Sequence, residues 1–205
     1  ATIDGTLNGD DGSDTLSFTN YTTPRTVTLE QASVNTSGNA GFDGMTDAIF
    51  GNASSGFLSI DTFIGTAAGT DILVGRNQNS TWTLDTTNTY RDLSSGATAT
   101  AAFSSFEDLR GGNAADTFNF EDGATPVGSI DGGLGTNQVV GTDLGDSVTI
   151  NDVDDGTIRI NFAVNTTDVT FQEIQSFTGG AGDDRYTFEN NGTLNRSIDG
   201  GGGTN

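Results

Sequence analysis

The chain has no cysteine and no histidine, its seven cationic side chains are all arginine, and it carries only two prolines and one tryptophan in 205 residues. Each absence removes a class of chemistry. Without cysteine there are no disulfides, no thiol nucleophile and no thiolate metal site, although this says nothing about compartment. Without histidine the commonest general base and metal ligand is missing. Without lysine there is no isopeptide cross-link, no Schiff base and no Walker-type phosphate loop. No apolar run approaches the roughly 20 residues needed to span a bilayer. The opening ATIDGT has neither the basic start nor the apolar core of a signal peptide. The net charge of −21 repels nucleic acid and anionic membrane surfaces, so neither is an expected partner.

What is present is glycine (30 residues), phenylalanine (13), and many Thr, Asn, Ser and Asp. Long helices would need more Leu and Ala and far less Gly. The phenylalanines stand in short β-branched runs such as DTFNF and RYTF, which argues against a disordered linker. Residues 110–137, RGGNAADTFNFEDGATPVGSIDGGLGTN, recur without a gap at 178–205, TGGAGDDRYTFENNGTLNRSIDGGGGTN. A fixed long offset of this kind signals a repeat architecture. The shared residues are turn-forming Gly and Asp and strand residues such as Phe120 and Phe188.

Taken in order, short alternating or apolar runs are bounded by Gly, Asn and Asp: Thr26–Leu29, Phe57–Ile60, the run in DILVG, Thr81–Leu84, Gln138–Val140, Ser147–Ile150, Thr157–Phe162 and Asp168–Phe171. That punctuation without a helical period predicts an all-β chain. Residues 31–56 are polar and read as an insertion loop, with Ala48–Phe50 as a short strand at most. Turn aspartates Asp14, Asp71, Asp116 and Asp184 are 57, 45 and 68 residues apart; with coils of about 22 to 23 residues, within the known range of repeat lengths, 45 is two coils, 68 is three, and 57 is two plus roughly 12 residues that the insertion supplies. A parallel β-helix (β-solenoid) of short strands and Gly/Asp/Asn turns explains the recurring offset better than a sandwich does. The expected organisation is one continuous segment over 1–205, with 110–177 a full repeat and 178–205 the start of the next. The likeness of Ile3–Gly5 to Ile198–Gly200 leads to the expectation of a piece of a longer array.

One stretch carries candidate chemistry. Gly179–Thr187, GGAGDDRYT, fits the nonapeptide G-G-x-G-x-D-x-U-x, in which a Gly-rich turn offers carboxylate and carbonyl oxygens to Ca²⁺. Gly111–Asn119 departs from it at Ala114, and Gly132–Val140 has Asn137 in place of the aspartate. If calcium is bound, the candidate ligands are Asp116 with Asp131 and Asp184 with Asp199, each pair 15 residues apart, with Asp183 assisting. The competing reading is that Gly and Asp simply build the turns.

The nonapeptide resembles the calcium-binding repeats of haemolysin-type secreted proteins. The wider alternation of SIDGGLGTN with Ser105–Phe120 and Ser176–Phe188 resembles the repeats of large bacterial surface proteins of the filamentous haemagglutinin-like kind. The resemblance implies an exported, cell-surface parallel β-helix serving adhesion or fibre building, with calcium as cofactor. The expected function is therefore non-enzymatic: a structural module of an extracellular fibre or giant adhesin, stacking head to tail on neighbouring repeats. The alternative is a calcium-dependent module binding a cell-surface glycan or partner. Arg159 or Arg185 could serve a lyase, but no distinct acid–base cluster stands out from the repeat. Threonine pairs do not recur at coil spacing as an ice-binding ladder requires. Trp82 and Tyr90 suit a core more than a sugar-stacking patch.

Overall fold

The computed structural model describes residues 5–33, 41–47, 56–67, 69–93, 99–124, 127–161 and 166–205. Their strands are short because a Gly, Asn or Asp corner interrupts each apolar run, and within a strand inward and outward positions alternate. Ser80–Leu84 and Asp116–Phe120 both run buried, half-buried, buried, half-buried, buried. The described residues contain strands and turns and no helix, so the chain is all-β.

The strands form two mixed sheets. The eleven-stranded sheet contains β1 (Leu7–Asn8), β3 (Thr26–Ala32), β4 (Phe42–Thr46), β5 (Phe57–Ile60), β7 (Ile72–Val74), β11 (Asp108–Arg110), β13 (Ser129–Asp131), β15 (Ser147–Asp152), β16 (Asp155–Asn161), β17 (Thr166–Gln172) and β19 (Arg185–Phe188). The nine-stranded sheet contains β2 (Thr15–Ser17), β6 (Thr62–Ile64), β8 (Ser80–Leu84), β9 (Thr89–Asp92), β10 (Thr100–Ser104), β12 (Asp116–Phe120), β14 (Gln138–Val140), β18 (Ser176–Thr178) and β20 (Ile198–Asp199). Aromatic rings meet across the interior from both sheets, as in Phe57–Phe63, Phe42–Tyr90 and Phe171–Phe177, at centroid distances of 5.3, 5.3 and 5.0 Å.

Parallel pairing dominates, but the expectation of a purely parallel arrangement is not met. Three antiparallel meanders interrupt it: β3–β4–β5, β8–β9–β10 and β15–β16–β17. All three work alike. The chain skips ahead along its sheet, and the next two strands walk back to fill the gap. Thus β5 lies beside β1, β10 beside β6 and β17 beside β13. Because three strands reverse direction twice, the exit strand runs parallel to the strand it joins.

Two sequence expectations change accordingly. Residues 31–56 are not all loop, since β3 continues to Ala32 and β4 is an interior strand of its sheet with Phe42 buried. The proposed strand at Ala48–Phe50 lies outside the described residues. Register offsets are 21 residues where no meander intervenes, as in Thr117↔Gln138 and Phe177↔Ile198, and 36 to 50 where one does. The offset of 68 therefore does not return the motif to the same sheet. It carries the duplicated motif from one sheet to the other: Asp116 begins β12 in the nine-stranded sheet, whereas Asp184 precedes β19 in the eleven-stranded one. Both sheets use the same turn-and-strand motif.

The meander exits share a five-residue pattern that opens on Phe, has Ile or Phe fourth and ends on Asp, Glu or Gln: Phe57-Leu-Ser-Ile-Asp61, Phe103-Ser-Ser-Phe-Glu107 and Phe171-Gln-Glu-Ile-Gln175. The middle residue is left-handed each time, with φ of 55° at Ser59, 58° at Ser105 and 54° at Glu173. A Cβ on Gly132 would collide with the Glu173 carbonyl, so glycine is required there.

Candidate functional site

The polar groups that concentrate in the interior are those of the corners, where a strand of one sheet turns toward the other. Asp71, Asp116, Asp146 and Asp184 occupy equivalent corners and are all buried. Three of the four carboxylates close their own turns, and Asp184 Oδ2 has no hydrogen-bond partner among the described residues. Asp71 Oδ2 accepts the Thr66 N–H at 2.6 Å, Asp116 Oδ2 the Gly112 N–H at 2.8 Å, and Asp146 Oδ2 the Thr142 N–H at 2.7 Å. The remaining oxygen reaches sideways. Asp71 Oδ1 accepts the Arg25 N–H at 2.5 Å, Asp184 Oδ1 the Asp146 N–H at 2.7 Å, and Asp116 Oδ1 the Ser80 hydroxyl.

The same sideways bond recurs along both sheets as a ladder. The side chain at a strand entrance accepts the backbone N–H of the equivalent residue on the preceding rung. Asn137 Oδ1 takes the Asp116 N–H at 3.0 Å, and Asn205 Oδ1 takes the Asp184 N–H at 2.6 Å. The last residue of each meander exit joins in: Asp61 accepts from Asp14, Glu107 from Asp71 and Gln175 from Asn137, at 2.9, 2.9 and 2.7 Å. Buried backbone amides at strand entrances thereby find acceptors.

Two corner chemistries alternate with the residue at the end of the turn. Where it is Asp, turn amides face inward. Where it is Asn, turn carbonyls do, and Asn137 Nδ2 donates to Gly133 O, Leu134 O and Glu173 O at 3.5, 3.4 and 3.1 Å. The switch is made by the SIDGG run. Asp131 Oδ1 accepts the Gly133 N–H at 2.9 Å and Asp199 Oδ1 the Gly201 N–H at 3.0 Å. That holds the peptide in a left-handed turn, with φ of 72° at Gly133 and 68° at Gly201, which only glycine adopts freely.

The five aspartates expected around calcium are placed as follows. Asp116 and Asp184 are buried and bonded to N–H or O–H donors, as above. Asp131 also forms an ion pair with Arg110 at 3.0 Å. Asp183 is exposed, and its Oδ1 accepts the Thr204 N–H at 2.6 Å. Asp199 is exposed on β20. The members of each expected pair lie on different sheets, and among the described residues no cluster of three or more acids could hold a metal ion. Residues to which the sequence assigned no role carry as much of the ladder: Ser80, Glu107, Asn137, Asp146 and Gln175. The three five-residue exits were the available signal for two of them. Trp82 and Tyr90 are fully buried, as a core reading requires.

Burial acts on these acids in one direction. It pushes the Asp116 carboxyl up to about 6, against the opposing effect of the Ser80 and Gly112 hydrogen bonds. Burial likewise raises Asp146, and raises Asp184 with help from the neighbouring Asp183 charge. A folded-state pKa above the unfolded one means that the folded chain holds the proton more tightly. This contribution is complete below the ordinary carboxylate range and is lost as pH rises through about 6. The melting temperature should therefore rise between pH 7.5 and pH 5. Relief of the −21 self-repulsion acts in the same direction, so Asp116→Asn is needed to separate the two. It should remove a component of the pH dependence on the order of 2 kcal/mol, read by thermal melts across pH. An unchanged pH profile in that variant would contradict the assignment.

Comparison with family models, curated proteins and solved structures found no match for this chain, so the geometry above carries the functional reading by itself.

Proposed function

We propose that the chain is a non-enzymatic structural module, a two-sheeted β-solenoid segment of an extracellular fibre or large bacterial surface adhesin, whose modules stack head to tail. The observation that carries this is the entrance ladder. Its acidic and amide side chains are spent on the backbone of the preceding rung, which is the chemistry of a scaffold that propagates along an axis. Solenoid stability of this type sums over neighbouring rungs. The terminal rungs add support, because Leu7 stands in register with buried Phe57, and Phe188 with buried Ile150, yet both remain exposed. One more rung would cover each.

Sedimentation velocity and electron microscopy test the stacking. End-to-end oligomers should lengthen with concentration and be weakened by Phe188→Asp. Particles that stay monomeric throughout would count against it. The calcium-dependent alternative is separated by thermal melts with chelator and with added Ca²⁺. The scaffold reading expects coincident melting curves, whereas a fall on chelation would transfer the corner aspartates to a metal role.

A further inference from the structure

The two sheets differ in what they show to solvent. Outward positions of the eleven-stranded sheet carry charge, including Asp43, Asp108, Arg110, Asp131, Arg159 and Asp168. The outward positions of the nine-stranded sheet carry Thr, Ser, Asn, Gln and small aliphatic residues, with Arg91 and Asp199 the exceptions. In register, one row runs Thr62, Ala102, Thr89, Thr83, Asn119, Val140 across successive strands. Strand spacing sets these groups about 4.8 Å apart. In a chain of net charge −21, a face so poor in acids marks the side a neutral partner can approach.

A cleft of about 200 Å³ opens in this face where β6 and β10 meet the turn between β8 and β9. Thr62, Ile64, Thr86, Thr87, Ala102 and Ser104 line it, with Phe103 and Asn88 beneath. All of these are uncharged. The nearest acids in sequence are already engaged, since Asp61 Oδ2 accepts the Asp14 N–H at 2.9 Å and Asp85 Oδ1 the Thr87 N–H at 2.5 Å. Other grooves differ: the one beside β12 and β14 is lined by Glu121, Asp122 and Asp143, and the one beside β15 by Asp152 and Asp155. The cleft is below the size of drug-sized ligand pockets, about 300 Å³ and upward, and fits a single ring.

We propose that this cleft binds one sugar unit of a neutral, hydroxyl-rich polysaccharide, the rest of the polymer running over the threonine rows. Hydroxyls of Thr62, Thr86, Thr87 and Ser104 supply donors and acceptors to sugar hydroxyls, while Ile64 and Ala102 receive the ring's C–H surface. The absence of charge excludes the strong point contacts that an anionic polymer would need, and the field of the chain repels one. A single site of this kind is weak, and affinity would come from repetition along a polymer. The site is independent of calcium and of head-to-tail stacking.

The test is co-sedimentation of the full chain with cellulose, cross-linked dextran and agarose, with cross-linked alginate as the anionic comparison. Retention is expected on at least one neutral matrix and not on alginate, with release by the matching soluble oligosaccharide and no effect of chelator. Thr87→Glu combined with Ser104→Glu, both exposed positions, should cut retention about tenfold or more without moving the melting temperature. Thr157→Glu on the opposite sheet should leave it unchanged. If the paired glutamates prevent folding, Thr86→Ala with Thr87→Ala should still lower retention several-fold. No retention on any neutral matrix would overturn the proposal. So would equal retention on alginate, insensitivity to the cleft variants, or their loss of a face-to-face dimer or of ice shaping in place of retention.

Discussion

Asn137→Asp should lower stability by about 3 kcal/mol at pH 7.5, or about 10 °C in melting temperature for a chain of this size. Asn137 is fully buried, and its Nδ2 faces three carbonyl oxygens while its Oδ1 accepts the Asp116 N–H. The substitution keeps the acceptor and replaces the donor with a carboxylate oxygen among carbonyls, in a place where water cannot solvate it. An ion buried against like dipoles raises its own pKa rather than stay charged. The deficit should therefore shrink as pH falls. It is smallest below the ordinary carboxylate range, where the folded and unfolded chains both carry the proton, and largest above the raised folded-state value. Thermal melts of both proteins at pH 4.5 and 7.5 check this. A variant as stable as the parent at pH 7.5, or a deficit independent of pH, would mean that the corner is not organised by its carbonyls.

Trp82→Ala should cost about 4 kcal/mol, while Trp82→Phe should cost about 1 kcal/mol. The indole is fully buried, stacks on Phe118 at 5.6 Å and 14°, and meets Tyr90 and Phe103 edge-on at 4.7 and 5.8 Å. Phe118 is its register partner on the next parallel strand, so the pair bridges the junction between the β8–β9–β10 meander and the uninterrupted rungs. Truncation to Ala opens a cavity among three rings. Phenylalanine keeps most of the ring contacts, and no hydrogen bond is lost with the indole because Nε1 has no acceptor among the described residues. Chemical denaturation of the two variants decides the matter. Equal losses would place the energy in a polar contact of the indole rather than in packing.

Much of the strand pattern was readable beforehand, and the strands that escaped did so for physical reasons. Phe57–Ile60 and Gln138–Val140 are strands over the residues expected, since each is an apolar run cut off by a corner. β4 escaped because its inward Gly44 breaks the apolar alternation, the Phe57 ring occupying the place of the missing side chain. β9 escaped because one of its inward residues is Asp92, buried in an ion pair with Arg76, which in sequence looks like loop polarity. The nonapeptide drew attention to carboxylates as ligands for an ion. In the folded chain the Asp116 carboxylate meets the Gly112 N–H of its own turn and the Ser80 hydroxyl of the preceding rung, and the Asp184 carboxylate meets the Asp146 N–H of the preceding rung, partners that the spacing of the motif does not reveal.

Taken alone, the sequence determined where the corners fall, that the described residues form strands and no helix, and which side chains alternate inward, because these depend on local backbone preferences and on period-two burial. Tertiary structure decided which sheet each copy of the motif joins, the backward course of the meanders, and whether a corner faces its own amides or its own carbonyls. Those choices depend on which strand edge is free when the chain returns. The entropy of closing a 38-residue return exceeds that of a 21-residue one by only about 0.5 kcal/mol. So weak a dependence on separation leaves the choice of partner to contacts that exist only once the neighbouring rung has formed.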